Sequence, residues 1–143
     1  MKPPAPGKQP LVFMLEQDPD DRELTDIISK ESGYAIDFKF FTGQDDFFNA
    51  LAGSKRLPKI IILSYNIVLG NAIHVLHSLK SNARYNIIPV IILSDSATET
   101  AVLEAYVNGA SSFITKPSTN SETVNKISGF LNYWFNIVQL PST

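Results

Sequence analysis

The sequence predicts a doubly wound α/β fold, (βα)5, with helices on both faces of a five-stranded parallel sheet. Two observations carry that prediction. Short apolar runs alternate with segments of helical period from one end of the chain to the other. The runs are also apolar at nearly every position, as in parallel strands buried on both faces. A chain of 143 residues has room for one such domain.

Leu11 to Leu15 is the first such run, and Glu16, Gln17 and Asp18 end it. A turn at Asp18-Pro19 leads into a helix from Asp20, with Leu24, Ile27 and Ile28 at helical spacing and acidic residues where a helix N-terminus favours negative charge. Gly33 closes it. Ala35 to Phe41 alternates Ile36, Phe38 and Phe40 against Asp37 and Lys39, as in a strand with one more exposed face, which points to the sheet edge.

Gln44 to Leu51 reads as a helix, Lys59 to Leu63 as a third strand entered at Pro58, and Ala72 to Leu79 as a helix. Pro89 to Leu93 is the fourth strand, and Thr98 to Asn108 a helix stopped by Gly109. Ser112 to Thr115 is a short fifth strand, and Ser121 to Val138 the last helix. Val124, Ile127, Phe130, Leu131, Trp134, Phe135, Ile137 and Val138 cover roughly 160° of its surface at about 100° per residue. That arc is wider than one sheet face requires, so it predicts packing on the fourth helix or an interface.

Residues 1–10, with four prolines, are expected to be a flexible tail, residues 11–138 the domain, and residues 139–143 a C-terminal tail. With 12 Lys+Arg against 14 Asp+Glu, no large positive field exists for nucleic acid. The apolar runs are too short to span a bilayer. The absence of cysteine rules out disulfides and thiolate metal sites, and a cytoplasmic location is expected.

In an open α/β sheet the reactive side lies beyond the carboxyl ends of the strands. That rule selects Glu16-Gln17-Asp18, Ser64-Tyr65-Asn66, Ser94-Asp95 and Lys116-Pro117. The acidic segment Leu15 to Asp21, the run Ile88 to Ser94, and the stretch Asn108 to Pro117 resemble, in their order and spacing, the response-regulator receiver domains, a CheY-like family. The resemblance covers about Leu11 to Val138. It implies the flavodoxin-like strand order 2-1-3-4-5. It also implies a site in which two acidic residues and an aspartate hold Mg²⁺, while that aspartate takes a phosphoryl group stabilised by a hydroxyl and a lysine.

By the same resemblance, Ser64 stands where the phosphoacceptor aspartate belongs, and Gln17 and Asp18 where the acidic pair belongs. Ser94, Lys116 and Phe113 match the hydroxyl, lysine and switch-aromatic positions. One carboxylate and an amide make a poor Mg²⁺ site, so no cofactor is expected, and Lys116 is expected to pair with Asp18. A serine needs a base to act as a nucleophile, and none is evident beside Ser64. His74 and His77, three apart on a helix, lack a third ligand and read as surface. Asp95 reads as a loop or capping residue.

The expected function is that of an atypical single-domain receiver. It is not an enzyme and acts by contact with a histidine kinase or output protein, with self-association through the last two helices as a further option. Two alternatives stand beside it: phosphorylation at Ser64, Asp18 or Asp95, and a flavodoxin-like protein binding a nucleotide or flavin. The absence of a Gly-rich loop after the first strand weighs against the last.

Overall fold

The computed structural model describes residues 9–31, 33, 35–66, 72–116 and 120–141. The expected tail over residues 1–8, Pro117 and the last two residues lie outside them. The strands are β1 (Leu11–Leu15), β2 (Asp37–Phe41), β3 (Ile60–Ser64), β4 (Val90–Ser94) and β5 (Ser112–Thr115). The helices are α1 (Pro19–Glu31), α2 (Gln44–Gly53), α3 (Ala72–Lys80), α4 (Glu99–Val107) and α5 (Asn120–Asn132), and a π-helical turn, Tyr133–Ile137, continues α5.

All strand pairs are parallel, in the order β2-β1-β3-β4-β5. β2 is therefore an edge strand, as its alternation predicts. The three inner strands are buried at every position, because each side chain meets a helix whichever way it points. Phe13, Leu15, Ile61, Leu63 and Ile92 face one core, with Phe47 and Leu51 of α2, Leu76 and Leu79 of α3 and Ala105 of α4. Val12, Met14, Ile60, Ile62, Ile91 and Leu93 face the other, where Ile127, Phe130, Leu131 and Trp134 close the layer.

The start of α1 is set locally. The Asp18 carboxylate accepts from the Asp20 amide at 2.9 Å, and Pro19 takes the first helical position, where its missing N–H costs nothing. α4 ends at Gly109, whose φ of 101° is a left-handed conformation, and Lys80 Cγ lies 2.9 Å from where a β-carbon would stand. Glycine alone adopts that backbone without strain.

The last helix differs from the expected uniform α-helix over Ser121 to Val138. From Tyr133 it widens into i to i+5 bonding. The Val138 amide donates to the Tyr133 carbonyl at 2.8 Å. Each residue of a wider turn advances by a smaller angle. Ile137 therefore swings out to 65% exposure, while Trp134 stays buried and Val138 packs on the core. Most of the wide apolar arc is core, and it packs on the sheet and α1 instead of on α4. At the far end Leu140 packs against the same core and Lys59 Nζ donates to the Pro141 carbonyl at 3.0 Å.

Candidate functional site

The carboxyl ends of β1, β3, β4 and β5 bring together Glu16, Ser64, Ser94 and Lys116. Glu16 extends β1 by one residue: its amide donates to the Phe41 carbonyl at 2.9 Å. The ladder thus carries its side chain into the sheet end, where the residue is 2% exposed. Among the described residues it is the only buried charged side chain. A carboxylate so placed needs a counter-charge and hydrogen bonds.

Lys116 supplies the charge. Its Nζ lies 2.9 Å from Glu16 Oε1 and 2.6 Å from Asp21 Oδ2, in the first turn of α1. Two strands separate β5 from β1 in the sheet. The lysine side chain therefore reaches across the ends of β4 and β3 to make these contacts. Ser64 is buried close by, near enough for its hydroxyl to act on the Glu16 carboxyl.

The two carboxyls divide their charge unequally. Burial, and then the hydrogen bond with Asp21, push Glu16 above the usual glutamate range, against the pull of Ser64 and Lys116. For Asp21, burial acts upward but is outweighed by hydrogen bonds from Lys116 and Glu16, so its carboxyl is held below the usual range. Burial likewise acts to lower Lys116, and the hydrogen bonds and charges of Asp21 and Glu16 more than reverse it. A cavity of about 30 Å³ lies beside the cluster, lined by Met14, Asp21, Leu24, Lys116 and Phe130 among others. It has room for a water molecule.

These positions correct the expected pairing. Asp18 does not meet Lys116; it is exposed and caps α1. Gln17 turns away and donates to the Thr42 carbonyl at 3.0 Å. Two carboxyls occupy the pocket where one was expected, and neither is Asp18. The sequence does hold a signal for Glu16: a glutamate immediately after a wholly buried strand is still within the sheet. Asp21 has a weaker one, since an acid in the first turn of the helix that follows β1 stays close to the strand ends. A candidate base, not evident in the sequence, also stands beside Ser64.

Ser94 is placed at the strand end as expected, but its hydroxyl serves its own turn, donating to the Ser96 carbonyl at 2.6 Å. Asp95 is exposed and accepts from the Asn66 amide nitrogen at 3.4 Å, tying the loops after β3 and β4. Phe113 packs on Tyr65 with ring centres 6.1 Å apart, and its backbone amide donates to the Tyr106 hydroxyl of α4 at 3.2 Å. His74 and His77 lie on the exposed side of α3. Among the described residues no group of three or more potential metal-ligating His, Asp or Glu side chains occurs.

Five parallel strands in this order, with an acid, a hydroxyl and a lysine at their carboxyl ends, match the fold of response-regulator receivers. Sequence comparison supports the same class: 89 residues are 26% identical to the probable methanogenesis regulatory protein FilR2 of Methanothrix harundinacea, covering 62% of this chain and 57% of that one. A match of 85 residues is 27% identical to the response regulator Rcp1 of Synechocystis, covering 59% of this chain and 58% of that one. The matched segments thus span little more than half of each relative. No family model matches. Among solved structures, the phosphorylated cyanobacterial phytochrome response regulator RcpA superposes with a TM-score of 0.88 at 22% identity, over 94% of this chain and 99% of that one. The chain has the fold of response-regulator receiver domains and is similar in sequence to response regulators. No described helix is long and apolar enough to cross a membrane.

Proposed function

We propose that this receiver works in two-component signalling by protein-protein contact, with a pocket closed on itself in place of one that is phosphorylated. The observation that carries the reading is the Lys116 ammonium held between Glu16 and Asp21. In the family, by the resemblance above, the lysine stabilises a phosphoryl group; here two of its three N–H donors are already engaged. The position matched to the acceptor is Ser64, a neutral hydroxyl buried beside Glu16.

The residues present do not suit Mg²⁺. A hard dication wants carboxylate oxygens and retained waters, and both pocket carboxyls already serve Lys116 while Gln17 and Asp18 are turned elsewhere. We therefore read the domain as needing no cofactor. Its output surface, in this reading, includes α4, where Leu103, Tyr106 and Val107 are exposed one helical turn apart. A kinase or an output protein, or a second copy meeting it through the last two helices, would dock there.

One observation favours a second reading. Glu16, made more basic by burial, stands beside the buried Ser64 hydroxyl, where a general base for that hydroxyl would stand. The Ser64 oxygen would attack phosphorus, the bond to the donor's acyl oxygen would break, and the proton would pass to Glu16. Intact mass after treatment with an acyl phosphate and Mg²⁺ separates the readings. The closed pocket predicts an unmodified chain; a stoichiometric phosphoryl adduct mapped to Ser64 would overturn it in favour of the second.

A further inference from the structure

We propose that the Lys116 ammonium is the pocket's resident cation, occupying by a covalent tether the seat that a divalent ion would otherwise take between Glu16 and Asp21. The inference rests on the closed-pocket reading and goes on to assign the cause of the closure.

The geometry supports it in three ways. The ammonium contacts one oxygen of each carboxyl, at 2.9 and 2.6 Å, so it bridges them as a shared cation does. Its side chain spans from β5 to β1 across the ends of the two intervening strands, which leaves it 18% exposed and the side chain of Glu16 3% exposed. The cluster is therefore a three-part bridge closed over the sheet. A tethered cation also has an advantage that a free ion lacks: its local concentration is fixed by the chain and does not fall with dilution.

The carboxyls are what a free cation would need. Glu16 is fixed by the β1 backbone and Asp21 by the first turn of α1. With the ammonium removed, two converging carboxyls would face each other with little solvent to screen them, and their mutual repulsion would favour any small dication that could enter. The cavity beside Asp21 and Lys116 has room for a water such an ion would retain.

The experiment compares the parent with Lys116→Met, which keeps an unbranched stem and removes the ammonium, and Lys116→Arg, which keeps the charge. Mn²⁺ is the probe, followed by water-proton relaxation and by thermal shift, with circular dichroism to verify folding. The parent and Lys116→Arg should bind weakly, and Lys116→Met should gain affinity by at least about tenfold, with a saturable rise in melting temperature. Lys116→Met as inert as the parent would overturn the inference and leave the closed-pocket reading standing. Tight saturable binding by the parent would overturn both. Should Lys116→Met not fold, the ¹H–¹⁵N resonance of the Lys116 ammonium in the parent decides: it should stay unchanged as Mg²⁺ is added, and its displacement would count against the inference.

Discussion

Glu16 and Asp21 lie on either side of one ammonium, and their surroundings sort their protons in opposite directions. Glu16 has its folded-state pKa raised, so its contribution to stability is full below the ordinary glutamate range and is lost as pH rises through the folded value. Asp21 has its pKa lowered; its contribution is present above the ordinary aspartate range and lost as pH falls. Glu16→Gln should therefore flatten the loss of stability on the alkaline side of the glutamate range and cost little at neutral pH. Asp21→Asn should cost about 1 kcal/mol at neutral pH, a modest figure because the side chain is partly exposed. Urea unfolding of the two variants across the acid range checks both signs. A Glu16→Gln protein less stable than Asp21→Asn at neutral pH would contradict this division of charge.

At the scale of elements, much of the fold is legible in the sequence, for a physical reason. Parallel strands buried on both faces read as unbroken apolar runs, and β1, β3 and β4 fall where those runs lie, with the bounds of β3 and β4 displaced by a single position. The alternation of β2 likewise discloses its edge position. The closing turn of the last helix is not legible, because α and π winding accept the same residues and differ only in how the turn meets the core. The pocket pairing is illegible for a related reason: after a strand ends, the direction of Glu16, Gln17 and Asp18 depends on one more ladder bond, from the Glu16 amide to Phe41. Two substitutions test these element-scale readings by chemical denaturation. Trp134→Ala should cost about 3–5 kcal/mol, since the ring fills the core where α5 meets the sheet. Gly109→Ala should cost about 1–3 kcal/mol, because its positive φ and the nearby Lys80 stem both resist a β-carbon.

For the whole molecule, the receiver fold leaves two regions to carry function: the strand ends, where two carboxyls share one ammonium, and the helical surface. On α4, Leu103 is 65% exposed and Val107 is 75% exposed. Replacing them with Glu and Lys should therefore change stability by about 0.5 kcal/mol or less, as is usual for surface positions. If α4 is a docking surface, the same pair of changes should abolish self-association in sedimentation velocity or binding to a cognate signalling protein. Retained association would move the interface elsewhere.

At every scale the pocket is read as holding its own cation and needing no phosphoryl group to be complete. The most direct measurement of this is the ¹H–¹⁵N spectrum of the parent chain before and after addition of an acyl phosphate with Mg²⁺. A self-complete pocket predicts unchanged resonances at Glu16, Ser64, Phe113 and Lys116 and along α4. Concerted shifts from Ser64 through Phe113 to α4 would contradict it, because they would show a pocket that opens, takes a ligand and transmits the change.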